Sequence, residues 1–97
     1  LSPEKASVKL GAALLKAERT REAVEILSRA IADEPENAEA IDLMREAVEG
    51  ADRETAAKAV EALQAAVYAN PSNLVLIGLL ADVQARVGKI DDAVKIM

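Results

Sequence analysis

A short pattern, Ala-x-x-x-Leu or Ala-x-x-x-Met, recurs in this chain at a near-constant spacing. It begins at Ala23, Ala59 and Ala93 and ends on Leu27, Leu63 and Met97. The first two copies run on for eight residues to Pro35 and Pro71, and the three starts are spaced by 36 and 34 residues. Recurrence on that scale constrains the fold more than any single motif. Each unit is one helical pair that cannot bury its apolar face alone, so neighbouring units must stack. The implied fold class is all-α: an α-solenoid of stacked antiparallel helix pairs, one domain over residues 1–97.

Capping residues and period divide the chain into six helices. Ser2-Pro3-Glu4 is a helix start, with serine as N-cap and proline where its missing N–H is harmless. Val8, Leu10, Leu14 and Leu15 then form a helical stripe to about residue 17. Glu18-Arg19-Thr20 reads as a turn, with Thr20 capping a second helix that carries Ala23, Val24, Leu27, Ala30 and Ile31. Pro35 stops it, because the residue before a proline is pushed out of the α region. Asn37 caps the third helix, Gly50 ends it, and Asp52 caps the fourth, which runs to Asn70-Pro71. Asn73 caps a fifth from Leu74 to Val87, closed by Gly88 in the left-handed conformation. A sixth helix is predicted from about Asp91.

Composition narrows the function classes. With no Cys and no His among 97 residues, disulfides and thiolate or imidazole metal sites are unavailable. The same absence, with no phosphate-binding glycine loop, argues against an enzyme. Asp33/Glu34 and Asp91/Asp92 are read as helix-end surface, and residues 46–52 lack the ligand spacing of a calcium loop. No cofactor and no metal are expected. A net charge of −5, without a basic run or aromatic platform, disfavours nucleic acid. The longest apolar run, 74–81, is far short of the roughly 20 residues that span a bilayer, so no membrane partner is expected. With no signal peptide legible, the cytoplasm is the default compartment, the periplasm remaining open.

Aligned on the three alanines, the units resemble the tetratricopeptide repeat, whose 34-residue unit reads W-x2-L-G-x2-Y, A-x3-F and P. The first unit matches with Ser7-x2-Leu10-Gly11-x2-Leu14, Ala23-x3-Leu27 and Pro35. The second has Ile41-x2-Met44-Arg45-x2-Val48, Ala59-x3-Leu63 and Pro71, and the third Ile77-x2-Leu80-Ala81-x2-Gln84 and Ala93-x3-Met97. This makes about two and two-thirds repeats, at 4–37, 38–73 and a truncated 74–97. The signature aromatics are missing, and the second unit is two residues longer, most simply in the turn at 50–55.

The resemblance implies a protein–protein interaction scaffold or adaptor whose first helix in each pair lines a concave groove. By that analogy the groove is formed by Lys5, Val8 and Ala12, by Glu39, Asp42 and Glu46, and by Val75, Gly78, Leu79 and Asp82. It lacks the Lys, Asn and Arg set with which family members clamp the acidic tails of chaperones, having Val8, Ala12, Leu43, Val75 and Leu79 instead. Charge adds a detail. Nine acids and only Arg45 and Arg53 occupy residues 33–54. Glu39, Asp42 and Glu46 share one helical face, and their mutual repulsion disfavours the free state. A groove with an acidic middle and an apolar end suits a basic-apolar peptide or partner segment.

A second reading starts from residues 74–80, apolar almost all round, and from Val94, Ile96 and Met97. A helix apolar on every side is normally buried on every side. The chain is therefore expected to be a fragment of a longer array, or to self-associate as a homodimer through Leu76, Val94, Ile96 and Met97.

Overall fold

A computed structural model describes the backbone of residues 3–96 and the side-chain surroundings of residues 6–91. The described chain is all-helical: α1 (Pro3–Lys16), α2 (Thr20–Asp33), α3 (Ala38–Glu49), α4 (Arg53–Ala69) and α5 (Leu74–Ile96). Three predicted caps are in place. The Asn37 side chain accepts from the Ala40 N–H at 3.1 Å, Asp52 from Thr55 at 2.8 Å, and Asn73 from Leu76 at 3.1 Å. Each satisfies a backbone donor that the first helical turn leaves without a partner. The predicted cap at Ser2 lies outside the described residues.

Two boundaries differ from the sequence reading. Arg19, not Thr20, occupies the N-cap of α2 and makes no side-chain cap bond; Thr20 is already helical. The preceding turn explains this. Arg19 N–H reaches back to the Leu14 carbonyl at 2.8 Å and Glu18 N–H to Leu15 at 3.0 Å. That bond pair is the Schellman closure of α1, and it needs a left-handed residue, which is Glu18 at φ 62°. Gly88 does not take that conformation, and the predicted sixth helix is not a separate element. α5 runs through Gly88 for 23 residues, about 34 Å at 1.5 Å per residue. A lone glycine without a following proline lowers helix stability but does not force a break. The continued helix lies along α4, where Arg53 Nε donates to Asp91 Oδ1 at 2.5 Å.

Among the described residues, every helix packs only against helices one or two places away in the chain. α1 lies beside α3 and α3 beside α5, while α2 lies beside α4, in a body of 48 × 34 × 15 Å. The strongest pairings are α1 with α2 and α4 with α5; α3 rests on α2 and α5 and touches α4 only marginally. The predicted α3/α4 pair therefore makes little contact. Its turn, residues 50–52, has three residues like the turn at 17–19 and holds the buried Ala51, so the two extra residues expected in a longer turn at 50–55 are taken up instead by α4, with 17 residues against the 14 of α2. Among the described residues no helix is long and apolar enough to cross a membrane.

Two of the repeated alanines lie in the buried core. Ala23 and Ala59 expose no surface, and Leu27 and Leu63, four residues on, are fully buried beside Ile31, Met44, Leu76, Leu79 and Val83. Ala93 lies outside the described side chains. Gly11 presses this packing furthest: a Cβ there would stand 2.7 Å from Leu27 Cδ2 and 2.8 Å from its Cγ. Leu27 is enclosed on every side and cannot swing away.

Two outcomes follow. Gly11→Ala is expected to lower stability by about 1 kcal/mol, because overpacking of about 2 kcal/mol exceeds the roughly 1 kcal/mol gain in helix propensity. With Leu27→Ala already present, the same change should become neutral or stabilising, a sign reversal visible in denaturant unfolding. Hydrogen bonds from the backbone N–H and then the hydroxyl of Thr55 hold the Asp52 carboxyl below its ordinary range. A depressed folded-state value gives stability that is present above the unfolded value, about pH 3.9, and lost as pH falls through the folded one. Asp52→Ala should therefore lower Tm at pH 7, with the gap to wild type closing progressively below pH 4.

Candidate partner-binding surface

The solvent face of α3 is a column of carboxylates. Glu39, Asp42 and Glu46 are exposed, and Glu49, one turn further at the same angle, is exposed with them. The described ion pairs are Arg19–Glu22, Arg21–Glu54, Arg45–Asp82 and Arg53–Asp91, so none of the four acids of the column has a cationic partner among the described residues. Asp82 belongs to a different setting. It sits on α5 and accepts from Arg45 of α3, so its charge is matched and its role is to tie the two helices.

The other predicted groove residues separate into two groups. Val75 is exposed, Gly78 is exposed and Ala12 is half-buried. Val8 and Leu79 are core residues, as is Leu76, which the self-association reading needs at the surface. These three belong to the stripes by which α1 and α5 pack on their neighbours, so they line no groove and offer no contact to a partner. For Lys5, Val94 and Ile96 the side chains, and for Met97 the whole residue, lie outside the described residues.

A groove that the sequence reading missed opens at one edge of the α3–α5 seam. It is shallow, has a volume of about 840 Å³, and is bordered by two copies of one turn. In the first, Asn37 N–H bonds the Glu34 carbonyl at 3.0 Å; in the second, Asn73 N–H bonds Asn70 at 3.0 Å. Proline, one spacer and asparagine recur 36 residues apart, at Pro35/Asn37 and Pro71/Asn73. The two turns are joined directly, because Asn73 Nδ2 donates to the Pro35 carbonyl at 3.2 Å. One side chain thus caps α5 with its oxygen and holds the neighbouring turn with its nitrogen.

The groove has a divided lining. Pro35, Ala38 and Ile41 on one side and Pro71, Leu74 and Val75 on the other supply apolar surface. Asp33, Glu34 and Glu36 supply charge, and no Lys or Arg among the described residues lines it. Leu74 is 79% exposed and Val75 56%, which is unusual for aliphatic side chains on a helix that also supplies core residues. The paired Pro-x-Asn spelling was the available sequence signal; its meaning needed the two turns to be seen side by side.

This surface is suited to recognition: an apolar patch bordered by unmatched carboxylates. No group of three carboxylates able to hold a metal ion occurs among the described residues. Compared with models of protein families, with curated proteins and with solved structures, the chain matches none.

The Asn73 side chain separates into its two bonds by mutation. Asn73→Asp keeps the capping oxygen and removes the Nδ2 donor; Asn73→Ala removes both. Losing one hydrogen bond of about 1 kcal/mol should place Asp between wild type and Ala, with Ala about 2 kcal/mol below wild type in urea unfolding.

Proposed function

We propose that the chain is a protein–protein interaction module, a short α-solenoid of tetratricopeptide type, that holds a basic-apolar segment of a partner on the α3–α5 surface. Packing only between helices one or two places apart supports a stacked array rather than a bundle closed around one centre. The observation that carries the binding role is the column Glu39, Asp42, Glu46 and Glu49, exposed and without a cationic partner among the described residues. Like charges one turn apart destabilise a helix, and a partner's Lys or Arg side chains offset that repulsion. The segment's aliphatic residues meet Leu74 and Val75, at the apolar end of the same surface.

A second reading has its own observation. Ile41, Met44 and Val48 are buried on α3, yet their repeat equivalents on α5, Ile77, Leu80 and Gln84, are only half-buried or exposed. That side of α5 is where one more helix of an array, or a second copy of the chain, would stack.

Selection of peptides from a random display library tests the binding role. Enriched sequences should combine Lys or Arg with Leu or Val, and their affinity should fall as salt rises from 50 to 300 mM. Glu39→Lys/Asp42→Lys/Glu46→Lys, confirmed helical by circular dichroism, should weaken them at least tenfold. Enrichment of acidic peptides, or equal binding by the reversed variant, would count against it. A Tm that climbs with protein concentration, alongside no peptide enrichment, would transfer the role to self-association.

A further inference from the structure

We propose that the groove between the Pro35 and Pro71 turns is the anchor of this surface, and that it takes a partner segment in which Lys or Arg alternates with aliphatic residues. This rests on the interaction role inferred above and names where the segment is gripped. The first argument is charge complementarity. Asp33, Glu34 and Glu36 stand at the groove, and among the described residues no cation lines it.

The second argument comes from the helix ends. α2 and α4 both finish at this edge, where the last carbonyls give a helix its partial negative charge. A helix commonly offsets that charge with Lys or Arg in its last turn, as α1 does with Lys16. Neither α2 nor α4 has one, and α2 instead ends with Asp33 and Glu34 beside its carbonyls. An external cation therefore relieves both the carboxylates and the dipole.

The opposite ligand sign is disfavoured. The N-termini of α3 and α5 open on the same edge, but Asn37 and Asn73 already accept from their backbone donors. Each cap accepts from one N–H only, but a carboxylate or phosphate entering there would meet Asp33, Glu34 and Glu36 at the groove. The aliphatic part of the ligand is set by Leu74 and Val75, exposed at 79% and 56%. The bond from Asn73 to Pro35 holds the two walls in place before any ligand arrives, which limits the ordering cost of binding.

The test is fluorescence anisotropy at 150 mM salt with a labelled pentapeptide, Ac-Leu-Lys-Val-Arg-Leu-amide. Its controls replace both cations with Glu, or all three aliphatic residues with Ser. The first probe is expected to bind the wild type at least tenfold more tightly than either control. Leu74→Ser/Val75→Ser and Glu34→Gln/Glu36→Gln, all at exposed positions, should each weaken it tenfold or more. Glu25→Gln/Glu61→Gln, exposed on α2 and α4 about 12 Å before the helix ends at the groove and beyond the Debye length of about 8 Å, should change it less than twofold, and Glu46→Gln/Glu49→Gln should weaken it less than the groove variants do. Equal binding of the acidic or polar probe overturns the proposal without recourse to any variant. A loss that tracks Glu46/Glu49 and spares the groove variants removes the groove while leaving the binding role on the α3 face. Failure of every pentapeptide to bind at millimolar concentration also overturns the anchor, and longer selected peptides that still respond to charge reversal on α3 would keep the broader role. Self-association of the wild type in sedimentation, abolished by Leu74→Ser/Val75→Ser, overturns it in favour of a second copy in the groove.

Discussion

The carboxamide of Asn73 joins parts of the chain 38 residues apart, and the arrangement of the α3–α5 surface depends on it. Its oxygen starts α5 by accepting from Leu76, while its nitrogen fixes the Pro35 turn that precedes α3. Two helices that are not consecutive therefore begin side by side. An aliphatic group on one, Val75, then faces the acidic turn before the other. Further along the seam Arg45 and Asp82 make a second tie between the same helices. Exposed ion pairs of this kind contribute little each, about 0 to 1 kcal/mol. Their larger consequence is for the charge pattern: they match Asp82 and leave the carboxylates of α3 without a cationic partner among the described residues.

Small residues make that alignment possible. Ala23, Ala59 and Gly11 leave room that Leu27 and Leu63 fill, so a core without aromatic residues still closes, the one aromatic, Tyr68, being exposed. Burial of aliphatic side chains is non-directional, and it is the turns that give the stack its register. The turn at 50–52 is the exception, although at three residues it is no longer than the turn at 17–19. There α4 swings from α3 towards α5, and the close pair becomes α4/α5 instead of α3/α4.

Much of this was legible in the residues. Period and caps marked α1 to α4 and the start of α5, because Asn37, Asp52 and Asn73 do what a short polar side chain does before an apolar stripe. The acidic face was legible too, since i, i+3 and i+7 spacing alone puts Glu39, Asp42 and Glu46 together, and extending it adds Glu49. The end of α5 was not. Gly88 can close a helix or continue it, and the neighbouring α4, with Arg53 reaching Asp91, favours continuation. Nor could burial on α5 be assigned from a segment that is apolar all round: Leu76 and Leu79 face the core while Leu74 and Val75 face solvent. The groove was invisible for a different reason. It is made from two turns that only the stacked structure brings together.

Amide chemical-shift mapping on uniformly labelled protein, titrated with a long Lys/Leu-rich peptide, examines the joined surface most directly. Shifts are expected together in residues 34–42 and 70–77, the two turns and the helix starts they precede, with the α1 amides undisturbed. Shifts confined to one of the two turns, or centred on α1, would contradict a binding surface built from both.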